Sequence, residues 1–285
     1  MRYLYVLLLV ASSLFSFNVD ISNSTISNGK TAMITFEKEK NIEYKKLIAD
    51  KKSYKIYQHP LDATKMYALL PINYYEKPSR KKVEVLYSED SKNKSKKLFL
   101  DIEDGKYKKE KIKVQKSKVN PQGKEVKKRI AKEYAEAMKI YSTFSDEIQV
   151  SSKFIAPMDS KITSSFGKAR VYNDTLKGYH SGTDYRAKVG TPIKASNDGV
   201  VVLAKDRFYA GGTVILDHGH GIYTCYYHLS KFNVKLGQRV NKADIIGLSG
   251  ASGRVTGPHL HFSARVGGEQ VDPLQLIELL NKNLF

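Results

Sequence analysis

The stretch Gly212-Thr-Val-Ile-Leu-Asp-His-Gly-His-Gly-Ile-Tyr-Thr-Cys-Tyr-Tyr-His-Leu229 decides how the second half of this chain folds. Two runs of β-branched, aromatic and aliphatic residues flank a glycine-punctuated corner, the mark of paired strands joined by a turn. Outward from it, Gly199-Val-Val-Val-Leu-Ala204 is a further run of the same kind. Turn pairs recur at Asp198-Gly199, Gly211-Gly212 and Ser249-Gly250. Many short strands with glycine corners describe an all-β domain, sandwich or barrel-like, here over 151–285. Asp272-Pro273 then opens a short helix through Leu280, with Asp as N-cap and Pro at its first position.

The chemistry of this domain lies in its histidines. Six of the seven in the chain fall between His180 and His261, in His180-Ser-Gly-Thr-Asp184, in the run ending at His228, at His218 and His220, and in His259-Leu-His261. Histidine is the commonest protein ligand for zinc and the usual general base near neutrality. At i and i+2 on a strand, His259 and His261 project from one face while Leu260 packs on the other. His180 and Asp184 are four apart and share a face; the intervening Ser-Gly-Thr makes a poor helix, which favours an extended segment. Two imidazoles and one carboxylate form a donor set that suits zinc. His228 and one of the His259/His261 pair are then left to accept a proton, return it, or stabilise an oxyanion. The His-Glu-x-x-His helix of another zinc-peptidase design is absent. Cys225 is the only cysteine, so no intramolecular disulfide forms. Strand alternation points it away from His228, and it is read as a small buried hydrophobe, neither ligand nor nucleophile.

Upstream the pattern differs. Residues 1–16 carry Arg2, the apolar run Leu4-Tyr-Val-Leu-Leu-Leu-Val-Ala11 and small polar residues, which together read as a signal peptide. Such a run is too short to span a bilayer, and no later stretch is long and apolar enough to do so. Residues 17–118 read as short strands, among them Thr31-Ala-Met-Ile-Thr-Phe36 and Lys82-Val-Glu-Val-Leu-Tyr87, with turns at Asn28-Gly29 and Asp104-Gly105. Their spacing predicts a β-sandwich of immunoglobulin-like type with a structural, interaction or regulatory role. Over 119–150, Val126, Ile130, Tyr134, Met138, Tyr141 and Ile148 recur at helical spacing and predict a linker helix packed on one domain. The fold class is therefore mainly β: an N-terminal β-sandwich-like domain, a helical linker and a C-terminal β domain.

The formal net charge of +19 asks for a polyanionic partner. Twelve Lys/Arg against Glu110 and Glu125 lie between Lys106 and Lys132. For an exported chain, cell-wall polymers and anionic membrane surfaces take precedence over nucleic acid, which it rarely meets.

From 154 to 276 the chain resembles the LytM-type (lysostaphin-type) zinc metallopeptidases. The resemblance rests on Ser164-Ser-Phe-Gly167, His180-Ser-Gly-Thr-Asp-Tyr185, Gly190-Thr-Pro192, Ala195-Ser-Asn-Asp-Gly199, Asp217-His-Gly219, Tyr227-His-Leu229 and Gly257-Pro-His-Leu-His-Phe262. It implies an antiparallel β peptidase domain with an open groove, one zinc ion held by His180, Asp184 and His261, and catalytic His228 and His259. It also implies peptidoglycan as substrate and other cell-wall proteins as partners. The arrangement is similar to periplasmic murein D,D-endopeptidases of Gram-negative bacteria, some of which also trim pentapeptides as carboxypeptidases, and implies a periplasm or cell-envelope location. Some relatives have lost the ligands and act as non-catalytic modules that activate other wall hydrolases; all five positions are present here. Arg170, Tyr172 and Tyr179, near the first ligand, are candidate substrate contacts. His218 is expected to make a structural hydrogen bond and His220 to face solvent. The N-terminal domain is a place from which the groove could be blocked.

Overall fold

A computed structural model describes residues 18–113, 121, 123–172, 174 and 176–285 of the chain, with the side chains of 172, 176 and 177 excepted. The expected signal peptide at 1–16 lies outside the described residues, as do 114–118 of the expected N-terminal domain and 119, 120 and 122 of the expected linker.

Alternation of apolar and polar residues makes the N-terminal part a two-layer sandwich. One sheet orders Val19–Ile21, Thr31–Glu37, Lys65–Pro71 and Tyr57–Gln58; the other orders Thr25–Ser27, Lys92–Glu103, Ser79–Glu89, Ile42–Ala49 and Lys52–Tyr54. Ala32, Ile34 and Phe36 of the first sheet meet Leu47, Val83, Val85 and Leu100 of the second, all buried. The intervening residues of the first sheet are apolar too. Met33, Tyr67 and Leu69 face the other way and join a second core with Ile222, Val266 and Val271. Leu276, Leu279 and Leu280 of the C-terminal helix Pro273–Asn283 complete that core. Burial on both faces explains why this strand reads as a near-continuous apolar run, and it leaves the two parts of the chain sharing apolar surface. Gln275 of the helix closes the contact by pairing with both backbone groups of Thr31, at 2.9 Å each.

The C-terminal domain is a ten-stranded sheet. Its main path runs Ile162–Ser164, Thr183–Arg186, His259–Val266, Ile222–Phe232, Gly211–Asp217, Gly199–Arg207 and Arg239–Val240. One face holds the core of Tyr226, Phe262, Leu260, Val214 and Leu216. The other is shared by the histidine site and by a helix, Lys124–Tyr141, whose Ala137 and Tyr141 pack on Leu203, Ile215, Tyr223 and Cys225. This helix is shorter than the apolar stripe implies. It ends at Tyr141, so Ile148 lies beyond it, and Tyr134 of the supposed stripe is 66% exposed. The true contact face is the Ala137–Tyr141 pair, one turn apart. No helix among the described residues is long and apolar enough to cross a membrane.

Candidate active site

The ladder sets the site. Asp184 lies directly opposite His261, and Arg186 opposite His259, in the antiparallel pair of Thr183–Arg186 with His259–Val266. His180 precedes that strand and folds back over it. Its Nε2 comes within 2.9 Å of Asp184 Oδ1 and 3.0 Å of His261 Nδ1, while His261 Nδ1 is 2.7 Å from the same carboxylate oxygen. Gly182 makes the approach possible: a Cβ there would fall 2.2 Å from the Phe262 carbonyl and 2.8 Å from His261 Nε2.

Hydrogen bonds to backbone fix which ring nitrogens carry protons. A carbonyl only accepts, so His180 Nδ1–H donates to Ser165 O at 2.7 Å and leaves Nε2 with a lone pair aimed at Asp184. That pairs a lone pair with a carboxylate oxygen, an arrangement that a cation reconciles. Burial pushes the Asp184 carboxyl up, but the adjacent polar rings of His180 and His261 together outweigh it and hold it well below the usual carboxylate range. Burial also lowers the His261 imidazole to about 4 and so keeps it neutral. Neutral imidazole and ionised carboxylate are the forms that ligate metal. The three ligand atoms lie within 4.8 Å of one another, and all three residues are buried. The donor set therefore fits zinc.

His228 reaches the site by a departure from strand geometry. Strict alternation would put it on the face opposite Tyr227, whose ring stacks on His261 at 5.4 Å. Instead the strand bulges: Tyr227 and His228 together oppose the single residue Thr213, between the pairs Val214–Tyr226 and Gly212–Leu229. His228 takes φ +65°, in the left-handed region that β-strand residues avoid. Its ring then sits 4.9 Å from that of His259 and 6.0 Å from that of His261. This corrects the sequence argument about Cys225. Alternation does not separate it from His228; what excludes it is cover, since Cys225 is fully buried under the helix with its sulfur 3.4 Å from the Tyr141 hydroxyl.

His228 and His259 repeat the proton pattern of His180. Each donates Nδ1–H to a carbonyl at 2.8 Å, Ser252 O and Gly257 O respectively, and keeps an Nε2 lone pair. Burial, together with the neighbouring His261 and His259, lowers the His228 imidazole to about 3. The cluster borders a groove of about 260 Å³ lined further by Arg170, Tyr179, Tyr209, Arg254 and Ile112. Arg170 sits at the edge of the cluster, its Nη2 3.4 Å from Asp184 Oδ2. The side chain of Tyr172 lies outside the described residues. None of residues 18–103 lines the groove among the described residues, so the N-terminal sandwich stands beside it and does not cover it.

Two histidines of the C-terminal domain stay out of the cluster. His218 is fully buried, its Nδ1–H donating to Asp198 O at 2.6 Å and its Nε2 accepting from Thr224 at 2.7 Å, and burial lowers it to about 4. His220 is not solvent-exposed as its position in a glycine turn suggested. It is 6% exposed, stacks on Tyr57 at 3.9 Å, accepts from the Tyr67 hydroxyl at 2.6 Å and donates Nε2–H to Asp146 O at 3.0 Å. Its partners come from the sandwich, a contact that local sequence cannot reveal. Sequence reading also missed Glu110, Tyr209, Arg254 and Ile112 as groove residues, because no local pattern marks them.

Residues 178–273 match the family model described as Peptidase family M23. This part of the chain is a peptidase family M23 domain. This makes the C-terminal domain that of a metallopeptidase, with zinc as its metal. Over 122 residues the chain is 46% identical to the peptidoglycan DD-endopeptidase ShyA of Vibrio cholerae, which is 42% of this chain and 28% of that protein. The match thus spans little more than a quarter of the relative. The M23 domain is 34% identical to the catalytic domain of lysostaphin from Staphylococcus simulans, covering 42% of this chain and 92% of that one, at a TM-score of 0.38. A crystal structure described as a putative peptidase M23 from Pseudomonas aeruginosa extends the likeness to both parts of the molecule. It is 28% identical, covers 89% of this chain and 95% of its own, and has a TM-score of 0.66.

Proposed function

We propose that the protein is a zinc-dependent peptidoglycan hydrolase that cuts peptide crosslinks between wall strands, a D,D-endopeptidase, exported to the periplasm or cell envelope. The observation that carries this reading is the convergence of three ligand atoms with the Nε2 lone pairs of two further histidines at one groove. The name of the relative ShyA supports the choice of substrate, and the net charge of +19 suits an anionic wall polymer.

His180 Nε2, Asp184 Oδ1 and His261 Nδ1 would hold the zinc. When bound, zinc polarises the scissile carbonyl and acidifies water. The remaining steps belong to the chain. His228 and His259 each have Nδ1–H engaged by a carbonyl, so one of them takes the water proton at Nε2. Once protonated there, that ring becomes a donor, able to return the proton to the leaving amine and to steady the negative oxygen. Arg170 and Tyr179 would contact the stem peptide. Purified protein incubated with zinc and crosslinked muropeptide dimers is expected to yield monomers by chromatography and mass spectrometry; dimers unchanged after prolonged incubation would sink the reading.

A further inference from the structure

The groove has a wall that the peptidase fold does not supply. The strand Lys109–Ile112, which leads out of the N-terminal sandwich, pairs in parallel with Ala169–Tyr172, and that strand pairs with Leu176–Tyr179. The register sets Glu110 beside Arg170. Glu110 Oε2 accepts from Arg170 Nε at 3.1 Å, and its other oxygen lies 3.6 Å from Lys168 Nζ. A guanidinium is planar, so anchoring Nε fixes where the Nη atoms point. Arg170 Nη2 is thereby held 3.3 Å from Ser164 Oγ and 3.4 Å from Asp184 Oδ2. Glu110 also separates two cations that would otherwise repel. Ile112 of the same strand lines the groove.

A second device steadies the same hairpin from the same side. Tyr74 of the sandwich stacks on Tyr179 at 3.8 Å with the rings nearly parallel, and its hydroxyl donates to Gly167 O at 2.9 Å. Tyr107, three residues before Glu110, packs against Phe166 and Tyr74. The sandwich and its outgoing strand therefore brace both candidate substrate contacts, Arg170 and Tyr179.

We propose that the strand Lys109–Ile112 is a working wall of the groove, with Glu110 the positioning residue that aims the Arg170 guanidinium at the substrate and at the free oxygen of Asp184. This rests on the peptidase reading for its substrate, but not for its effect on the metal ligand. With Glu110 gone, Arg170 loses the anchor at Nε that holds Nη2 on Asp184 Oδ2, and the carboxylate loses the partner that fixes its orientation as a ligand. The test compares the full-length wild-type protein with Glu110→Gln and Glu110→Asp. Zinc affinity is measured by competition with a chromophoric chelator, and steady-state turnover of muropeptide dimers at saturating zinc. Glu110→Gln is expected to weaken zinc binding by about tenfold, as loss of a partner behind a metal ligand does. KM should rise by roughly tenfold, the effect of losing one charged hydrogen bond, with kcat within about twofold. Glu110→Asp should recover part of both, and melting temperatures with zinc absent should agree. Unchanged zinc affinity in Glu110→Gln overturns the proposal. A loss of affinity that tracks a lowered melting temperature in both variants overturns it equally, as a purely structural effect. If zinc affinity shifts while the wild type leaves dimers uncut, the positioning role stands and the endopeptidase reading falls.

Discussion

The groove and the junction between the two parts of the molecule use the same side chain for opposite ends. At the groove, His180, His228 and His259 each tie Nδ1–H to a backbone carbonyl and leave Nε2 unoccupied by protein donors. Away from the groove, His218 within the C-terminal domain and His220 and His59 at the junction have both ring nitrogens satisfied by the fold, His59 by the amides of Leu61 and Asp62 and by Asn283 O. A ring with one free lone pair facing a cavity can ligate or move a proton. A ring with neither nitrogen free can only hold structure together. Burial does not separate the two groups, since His180 and His218 are both fully buried; the partners of the second nitrogen do.

The comparison breaks first if ligand and junction histidines respond alike. His261→Ala removes one of the three proposed ligands, and we expect kcat/KM on muropeptide dimers to fall on the order of a thousandfold, with zinc content by metal analysis falling in step. Next, His228→Ala and His259→Ala should each lower kcat by roughly a hundredfold or more while zinc is retained. Retained activity in either would remove it from proton transfer. A third measurement follows from His218. Its imidazole is lowered to about 4 when folded, against an ordinary value near 6.5, so the unfolded chain binds the extra proton between those limits. The stability it confers is present above about pH 6.5 and is lost as pH falls through about 4, amounting to about 3 kcal/mol. Denaturant unfolding at a series of pH values should show this slope, and His218→Asn should flatten it. The smallest effect concerns His220, a ring at the junction. His220→Ala deletes a stack and two hydrogen bonds and should cost about 2 kcal/mol of unfolding free energy, with kcat per folded molecule unchanged. Loss of turnover in that variant would show that junction and groove are not separable.

Much of this architecture is legible in the residues. Period-two alternation in Ser79–Glu89 marks a sandwich, and the glycine corners around Gly211 and Gly219 mark the second sheet. His259-Leu-His261 places two imidazoles on one face through pleating alone. Other features were not legible because the cause lies elsewhere in the chain. His228 enters the groove through a bulge defined only by the pairing of its strand with Gly211–Asp217. His220 is buried by Tyr57 and Tyr67, more than 150 residues away in sequence by the 153 separating Tyr67 from it. The helix face was misjudged at Tyr134 because periodicity counts apolar residues without saying which of them meets a partner.

What the sequence by itself determined is therefore local: the β character of both parts, the capped C-terminal helix at Asp272-Pro273, and the donor types that suit zinc. These follow from backbone sterics, side-chain alternation and ligand chemistry, each of which acts over a few residues. The tertiary structure alone decided the convergence of His180, Asp184 and His261 on one point, the rotation of His228 toward them, and the seating of Glu110 against Arg170. Those depend on strand register and on contacts between distant segments, and a shift of one residue in pairing would turn each side chain to the other face.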